Sequence, residues 1–277
     1  MMSKLRKRFI DDLQLRGYSE KTVTAYVSAV KHFANHFNQS PARLGTEEIR
    51  EYLLYLIKVK KASDSLIRQS YSGLKLLYEV TLGRTWDERQ IPRSKKASKL
   101  PVVMDKTEVL ALFAATDNLK HRALLMTIYS AGLRVSEALN LKIEDIDSKR
   151  MQLHVRHGKG KRERYATLSR VAYEVLRQYW REYKFSEYLF PGQNGDKPLD
   201  ARSVQAVVRR SARKAGIKKH VTTHTLRHSY ATHMLEAGNN LHHLQLLLGH
   251  KSIGTTTRYL HVTRKDLENI TSPLDLA

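Results

Sequence analysis

Six residues in this chain, Arg134, Lys159, His224, Arg227, His250 and Tyr259, are of types that together suit chemistry at one phosphodiester. Displacement at phosphorus spreads negative charge over the non-bridging oxygens. Planar guanidinium forks match that geometry through paired hydrogen bonds. A lysine or histidine can supply the proton that a departing alkoxide needs. A tyrosine is a weak nucleophile because its pKa is about 10. Nearby cations stabilise the phenolate, and a base can take its proton. Nothing in this set requires a magnesium ion held by an acidic cluster, so no metal or other cofactor is expected.

The positions of these residues agree with such a role. Arg134 lies just past "SAG", at a break between two predicted helices, and precedes "VSEAL". Lys159 falls in a predicted hairpin turn. His224 and Arg227 are three residues apart, which makes them neighbours on a helix. His250 directly follows Gly249, and Tyr259 comes nine residues later. A competing reading exists for "HTLRH", because His224 and His228 at i and i+4 could hold zinc. Against it, Arg227 adjoins the pair, and Thr225 stands where a zinc protease has its glutamate. His242 and His243 are adjacent and point to different helix faces. Any one of these residues alone would suit a structural role, so the case rests on the set.

The elements that must position them are mostly helical. "SEKTVTAYVSAVKHFANHF" places Val23, Tyr26, Val27, Val30, Phe33, Ala34 and Phe37 at helical spacing behind a Ser19 cap. "TEEIREYLLYLIKV" starts at Thr46 with Glu47 and Glu48 in its first turn. "SDSLIRQSYSGLKLLYEVTL" predicts a third helix. "IPRSKKASKLPVV", residues 91–103, has two prolines and four basic residues and reads as a linker suited to lie along a phosphate backbone. Beyond it, Asp105 and Glu108 form a capping-box pair, and "HRALLMTIYSAG" reads as a buried helix closed by Gly132. Met151, Leu153 and Val155 alternate, then "HGKGKRE", then Tyr165 and Thr167, which predicts a β-hairpin with a basic turn. Helices are predicted after Ser169 and Asp200, and two more in "TLRHSYATHMLEAG" and "NLHHLQLLLGH". The fold class is mainly α with a small antiparallel β-sheet.

Length and charge bound the rest. At 277 residues, two domains are expected. The absence of cysteine excludes disulfides and thiol chemistry. No apolar run nears the roughly 18 residues of a membrane span. Asp11 and Asp12 interrupt the N-terminal segment before any apolar stretch, which argues against a signal peptide. Residues 1–95 carry 18 basic and 10 acidic side chains, a net of +8, and the remainder 31 and 17, a net of +14. Both halves are basic, which points to a polyanion, nucleic acid above all.

The ordered series Arg, Lys, His-x-x-Arg, His, Tyr resembles the tyrosine recombinases of the phage-integrase family, of Xer-like or simple-integrase type. The resemblance covers nearly the whole chain, through "AGLRVSEAL", "HGKGKRER", "HTLRHSYATHML" and "LLLGHKSIGTTTRYLHV". It implies an N-terminal SAM-like helical core-binding domain at residues 1–90, the basic linker at 91–103, and a catalytic domain with a C-terminal tail at 104–277. It implies that Arg134 and Arg227 clamp the scissile phosphate and that Lys159 protonates the departing 5′ oxygen. His224 would act in proton transfer with the tyrosine, and His250 would bond a non-bridging oxygen. Tyr259 would form a 3′-phosphotyrosyl bond that conserves bond energy without ATP. Glu137 matches a supporting acid of the motif, or is a surface helix glutamate.

The resemblance also suggests contacts and partners. Tyr18, Lys21 and Thr22 match a DNA-side segment of the helical module, and Arg93, Lys95 and Lys96 of the linker are further DNA-binding candidates. Double-stranded DNA with paired half-sites is the implied partner, and binding to phosphates should fall steeply with salt. Leu267, Ile270, Leu274 and Leu276 in the tail either dock on a neighbouring protomer of a tetramer spanning two duplexes or pack on their own domain. A cytoplasmic, nucleoid-associated location in a prokaryote follows, with integration, excision or resolution of DNA as the task. The short N-terminus favours a simple recombinase over an integrase with distant arm sites. Two alternatives stand beside this reading. A type IB topoisomerase would use similar residues without strand exchange between duplexes. A non-catalytic DNA-binding protein would not require Tyr259.

Overall fold

Serine caps start most helices of the N-terminal half. Ser3 begins α1 (Lys4–Leu15), Ser19 begins α2 (Glu20–Phe37) and Ser63 begins α4 (Asp64–Leu76), each hydroxyl accepting a first-turn backbone N–H. Helix α3 (Thr46–Lys58) starts at Thr46 as expected, behind Gly45, whose N–H donates to Glu48 Oε2 at 2.7 Å. The computed structural model describes residues 3–94, 100–156, 163–184, 187–193, 195–250 and 252–260. The chain divides into two compact units, Met1–Ser98 and Lys99–Ala277.

In the first unit each helix buries one apolar stripe. Phe9, Leu13, Val27, Phe33, Leu56, Leu74 and Leu77 close a single core, and each such side chain contributes about 1.5–3 kcal/mol on burial. Helix α4 runs on into a wider π-turn at Leu77–Thr81. There the Tyr78 hydroxyl donates to the carbonyls of Pro41 and Leu44, at 2.8 and 3.1 Å. Helix α1 was not among the expected elements. Half of its sequence "KLRKRFIDDLQL" is charged, and only Phe9 and Leu13 are fully buried.

The second unit contains α5 (Lys106–Ala114), α6 (Leu119–Ser130), α7 (Val135–Leu139), β1 (Ile146–Asp147), β2 (Gln152–Val155), β3 (Arg164–Thr167), α8 (Arg170–Tyr183), α9 (Ala201–Lys214), α10 (Thr223–Glu236) and α11 (Leu241–Leu248). Short 3-10 turns follow at Ile253–Thr255 and Thr257–Tyr259. Helix α6 packs against α5, α8, α9 and α10, and none of its residues is exposed, as befits a central helix. At α5 the predicted capping pair forms, the Asp105 N–H donating to Glu108 Oε2 at 2.8 Å.

The predicted hairpin gains a third strand, in the antiparallel order β1-β2-β3. Its register pairs Leu153 with Ala166 and Val155 with Arg164. Directly opposed residues share a face of the sheet, so Ala166 joins buried Leu153 on the core side while Tyr165 is 60% exposed. The inward face of β3 is therefore Arg164 and Ala166, and the alternating Tyr165 and Thr167 lie on the opposite face. Among the described residues no helix is long and apolar enough to cross a membrane.

Candidate active site

Helix α6 ends at Ser130, and the chain turns through Gly132 at φ +58°. A Cβ there would fall on the Tyr230 ring and 2.9 Å from Leu248 Cδ2, so glycine is required by both backbone and space. This turn delivers Arg134 to the N-cap of α7. The Arg134 N–H donates to Glu137 Oε2 at 2.9 Å, and its Nη1 donates to Oε1 at 2.5 Å. A fifth of the Arg134 side chain remains accessible, whereas the Glu137 side chain is 1% exposed. Glu137 is thus no surface glutamate.

Arg227 comes from the first half of α10 and is 3% exposed. Its Nη1 donates to the Gly132 carbonyl and its Nη2 to the Leu248 carbonyl, both at 2.7 Å. Leu248 is the last residue of α11, where carbonyls lack helical partners and the helix dipole is negative. Gly249 caps that helix at φ +62°. Burial, then the charge of Arg134, lowers the Arg227 pKa to about 10, with Glu137 opposing the shift. Arg227 therefore stays charged at neutral pH.

A third arginine completes the cluster. Arg164 enters from β3, donating from Nη1 and Nη2 to Glu137 Oε1 and Oε2 at 3.1 and 2.8 Å. Its Nε donates to the Leu247 carbonyl at 2.8 Å, again at the end of α11. Burial opposes ionisation of Glu137, but the hydrogen bond and charge of Arg164, together with Arg134, outweigh it and hold the carboxyl below its ordinary value. Three guanidiniums facing one carboxylate leave a surplus of two positive charges. That surplus suits a phosphodiester whose own charge approaches −2 as a fifth oxygen adds.

The histidines and Tyr259 form the other side. His250 Nε2 lies 3.1 Å from Arg227 Nη2. Guanidinium carries no acceptor, so Nε2 accepts, and the ring proton is on Nδ1 toward Thr256 Oγ1 at 2.9 Å. Tyr259 is 1% exposed and packs with Tyr230, Ala231, Leu235, Leu244 and Leu248. Its ring stacks with His250 at 6.4 Å between centroids. Its hydroxyl is 3.0 Å from His228 Nδ1. His224 sits one turn before His228, with ring centroids 6.4 Å apart. His224 is exposed at the surface, yet partial desolvation by the surrounding protein, then the charges of Arg227 and Arg134, push it below the ordinary histidine value.

Arg134 is thus hydrogen-bonded to Glu137 and Arg227 to His250, an ion pair of 3.6 Å between Arg227 and Glu137 joins the two pairs, and Tyr259 stacks against His250. Lys159 lies outside the described residues, as do Lys95, Lys96 and the tail from residue 261. Among the described residues no group of three His, Cys, Asp or Glu side chains could hold a metal. In the first unit Tyr18 packs edge-on against Tyr26, Lys21 is exposed, and Arg93 is exposed. The Thr22 hydroxyl bonds Ser19 Oγ at 2.9 Å within the cap of α2. The sequence did not single out Arg164, and it offered His228 only as a zinc ligand beside His224. An arginine on the inward face of a strand signals a buried carboxylate partner, and the register supplies that signal for Arg164.

Residues 102–266 match the phage integrase family, and residues 5–88 match the phage integrase N-terminal SAM-like domain. The chain belongs to the phage integrase family, the tyrosine recombinases. Site-specific DNA recombination is the activity that comes with this membership. The recombinase is 40% identical over 277 residues to the putative integrase/recombinase y4qK of Sinorhizobium fredii, covering 100% of this chain and 90% of that protein. It is 33% identical over 270 residues to the tyrosine recombinase XerA of Pyrococcus horikoshii, covering 96% and 91%. A crystal structure of XerA recombinase aligns at a TM-score of 0.57 with 28% identity, covering 96% and 95%. XerH bound to palindromic difH substrate, a post-cleavage complex, shares the fold at a TM-score of 0.74 and 24% identity, covering 91% and 80%.

Proposed function

We propose that this recombinase cleaves and rejoins duplex DNA through Tyr259, with Arg134 and Arg227 gripping the scissile phosphate. The observation that carries this reading is the surplus of positive charge beside Tyr259, held by groups that cannot turn away. The Tyr259 oxygen attacks phosphorus, the bond from phosphorus to the 5′ oxygen breaks, and a 3′-phosphotyrosyl bond forms. Lys159, between β2 and β3 in the sequence, gives its proton to the departing 5′ oxygen, leaving a free 5′ hydroxyl. The phenol proton passes to the His228 and His224 pair. His228 is already hydrogen-bonded to the phenol, and the lowered pKa of His224 keeps that ring neutral and able to accept. His250 turns Nε2 from Arg227 to a non-bridging oxygen in the neutral tautomer that carries its proton on Nε2, with the Thr256 hydroxyl then donating to Nδ1. Attack by the 5′ hydroxyl of a second strand reverses each transfer, so no ATP or metal is consumed.

The larger assembly extends the same reading. Residues 1–90 act as the core-binding module, with Tyr18, Lys21 and Thr22 on the DNA side. Residues 91–103 are the basic strap, with Arg93, Lys95 and Lys96 on phosphate, and residues 104–277 are the catalytic domain and tail. Support comes from the matching spans of the two family models and from the excess basic charge of both halves. The working form is a tetramer on two duplexes with paired half-sites, with the tail of one protomer docked on the next. The location is the cytoplasm, on nucleoid DNA, for integration, excision or resolution. XerH, which shares the fold, is bound to a palindromic substrate, and a palindrome offers two matching half-sites.

The test starts from a pool of nicked duplexes of randomised sequence. Denaturing electrophoresis isolates the sequences that become covalently attached, and these become the fixed substrate. Tyr259→Phe is expected to abolish the adduct and to leave retention of the duplex under native conditions largely intact. A Phe variant that forms as much adduct as the wild type rules the assignment out.

A further inference from the structure

Glu137 presents two carboxylate oxygens, which offer about four lone-pair directions between them. All four are taken. Oε1 accepts from Arg134 Nη1 and Arg164 Nη1, and Oε2 accepts from the Arg134 backbone N–H and Arg164 Nη2. Arg227 Nη1 stands 3.6 Å from Oε2, within reach of the charge but without a hydrogen bond. Its donors go instead to the carbonyls of Gly132 and Leu248 and to His250. Arg164 is therefore the group that fills the half of the carboxylate that Arg227 would otherwise take.

We infer that Arg164 is a positioning residue for the cleavage reaction, which saturates Glu137 so that Arg227 and Arg134 stay directed at the phosphate. A buried carboxylate with two open lone pairs attracts the nearest cation strongly, because little water screens it. Without Arg164, Arg227 would move the short distance onto Oε2. It would leave Leu248 and His250, and its charge would be spent on Glu137 rather than on the transition state. Arg164 also ties β3 to the end of α11 through the Leu247 carbonyl, 2.8 Å away. Gly249 permits that approach, since a Cβ there would lie 3.0 Å from Arg164 Cδ. Arg164 itself does not touch the reacting atoms in this scheme. Its effect passes through one carboxylate.

A role passing through Glu137 has a distinctive signature, because removing the carboxylate should remove the need for Arg164. The inference rests on the phosphotyrosine reading, so the measurement is the rate of adduct formation on the selected nicked duplex. Duplex retention and thermal midpoint are followed in parallel. Arg164→Met is expected to slow adduct formation by about 30-fold, a size typical of coupled neighbours, with duplex retention nearly unchanged. Adding Glu137→Gln should restore the Arg164→Met protein to within about fivefold of the wild-type rate, since a neutral amide does not capture Arg227. Arg164→Lys, the milder change, is the second arm. A single ammonium cannot cover both oxygens, so its deficit is smaller and is relieved in the same way. A deficit in both Arg164 variants that Glu137→Gln leaves untouched, or no deficit in either, overturns the inference alone. A wild-type protein that forms no adduct overturns the phosphotyrosine reading and this inference with it.

Discussion

Arg84 in the N-terminal unit and Arg227 in the second unit make contacts of the same kind, yet only one belongs to a site. Arg84 donates to the carbonyls of Leu44 and Ala42 at 2.8 and 2.6 Å and lies over the Tyr78 ring at 5.7 Å. Arg227 donates to the carbonyls of Gly132 and Leu248 at the same kind of distance. Arg84 is exposed, so water shares in solvating its charge. Arg227 is buried, and two further guanidiniums crowd it around a single carboxylate. Clamping a loop needs one cation. Crowding three around one acid costs repulsion and desolvation, which structure alone does not require and an incoming anion relieves. The arginine that marks chemistry is the one whose own charge is least welcome.

That contrast is open to direct attack. Arg227→Ala is expected to slow adduct formation by about 100- to 1,000-fold, the usual cost of removing one donor to a transition-state oxygen. Quenched time courses on the nicked duplex measure it, and an effect below tenfold would place Arg227 with Arg84 as a loop clamp. Gly132→Ala should destabilise the second unit by about 2–4 kcal/mol, from left-handed strain plus overlap with Tyr230. Urea titration checks this, and an unchanged midpoint would mean that the Arg134 turn is not held as tightly as described.

A smaller effect separates the units by pH. The folded-state pKa of Glu137 lies below its ordinary value of 4.5. Its contribution to stability is therefore complete above about pH 4.5 and is lost as pH falls through the depressed value. Thermal melts at stepped pH should show Glu137→Gln losing that part of the acid dependence, with a flatter profile than the wild type. The smallest effect is expected at the comparison residue itself. Arg84→Ala should cost about 1 kcal/mol of stability, because the Leu44 carbonyl keeps its bond from the Tyr78 hydroxyl, and should leave the adduct rate within about twofold of wild type.

The same contrast shows what the sequence could and could not say. Helix starts were legible where a polar cap precedes a periodic apolar stripe, as at Ser19, Ser169 and Asp200, and ends where glycine closes them, as at Gly132 and Gly249. Helix α1 was not legible, because only two of its side chains are fully buried. The two residues of β1 are too few to show alternation. Arg134, Arg227, His250 and Tyr259 were legible as a set, because their order and spacing are those of a known family. Arg164 and His228 were not. Their meaning depends on contacts over 27 residues to Glu137 and 31 residues to Tyr259. For β3 the alternation was legible but not which face turns inward, since that is set by pairing with β2 and not by the strand's own residues.

The central claim is that Tyr259 becomes the covalent link to DNA. The most direct measurement is mass spectrometry of the denatured adduct after protease and nuclease digestion. The account predicts a nucleotide remnant joined through its 3′ phosphate to the peptide containing Tyr259, and to no other of the 14 tyrosines. A remnant on Tyr230 or any other residue, or a 5′-linked remnant, would contradict it.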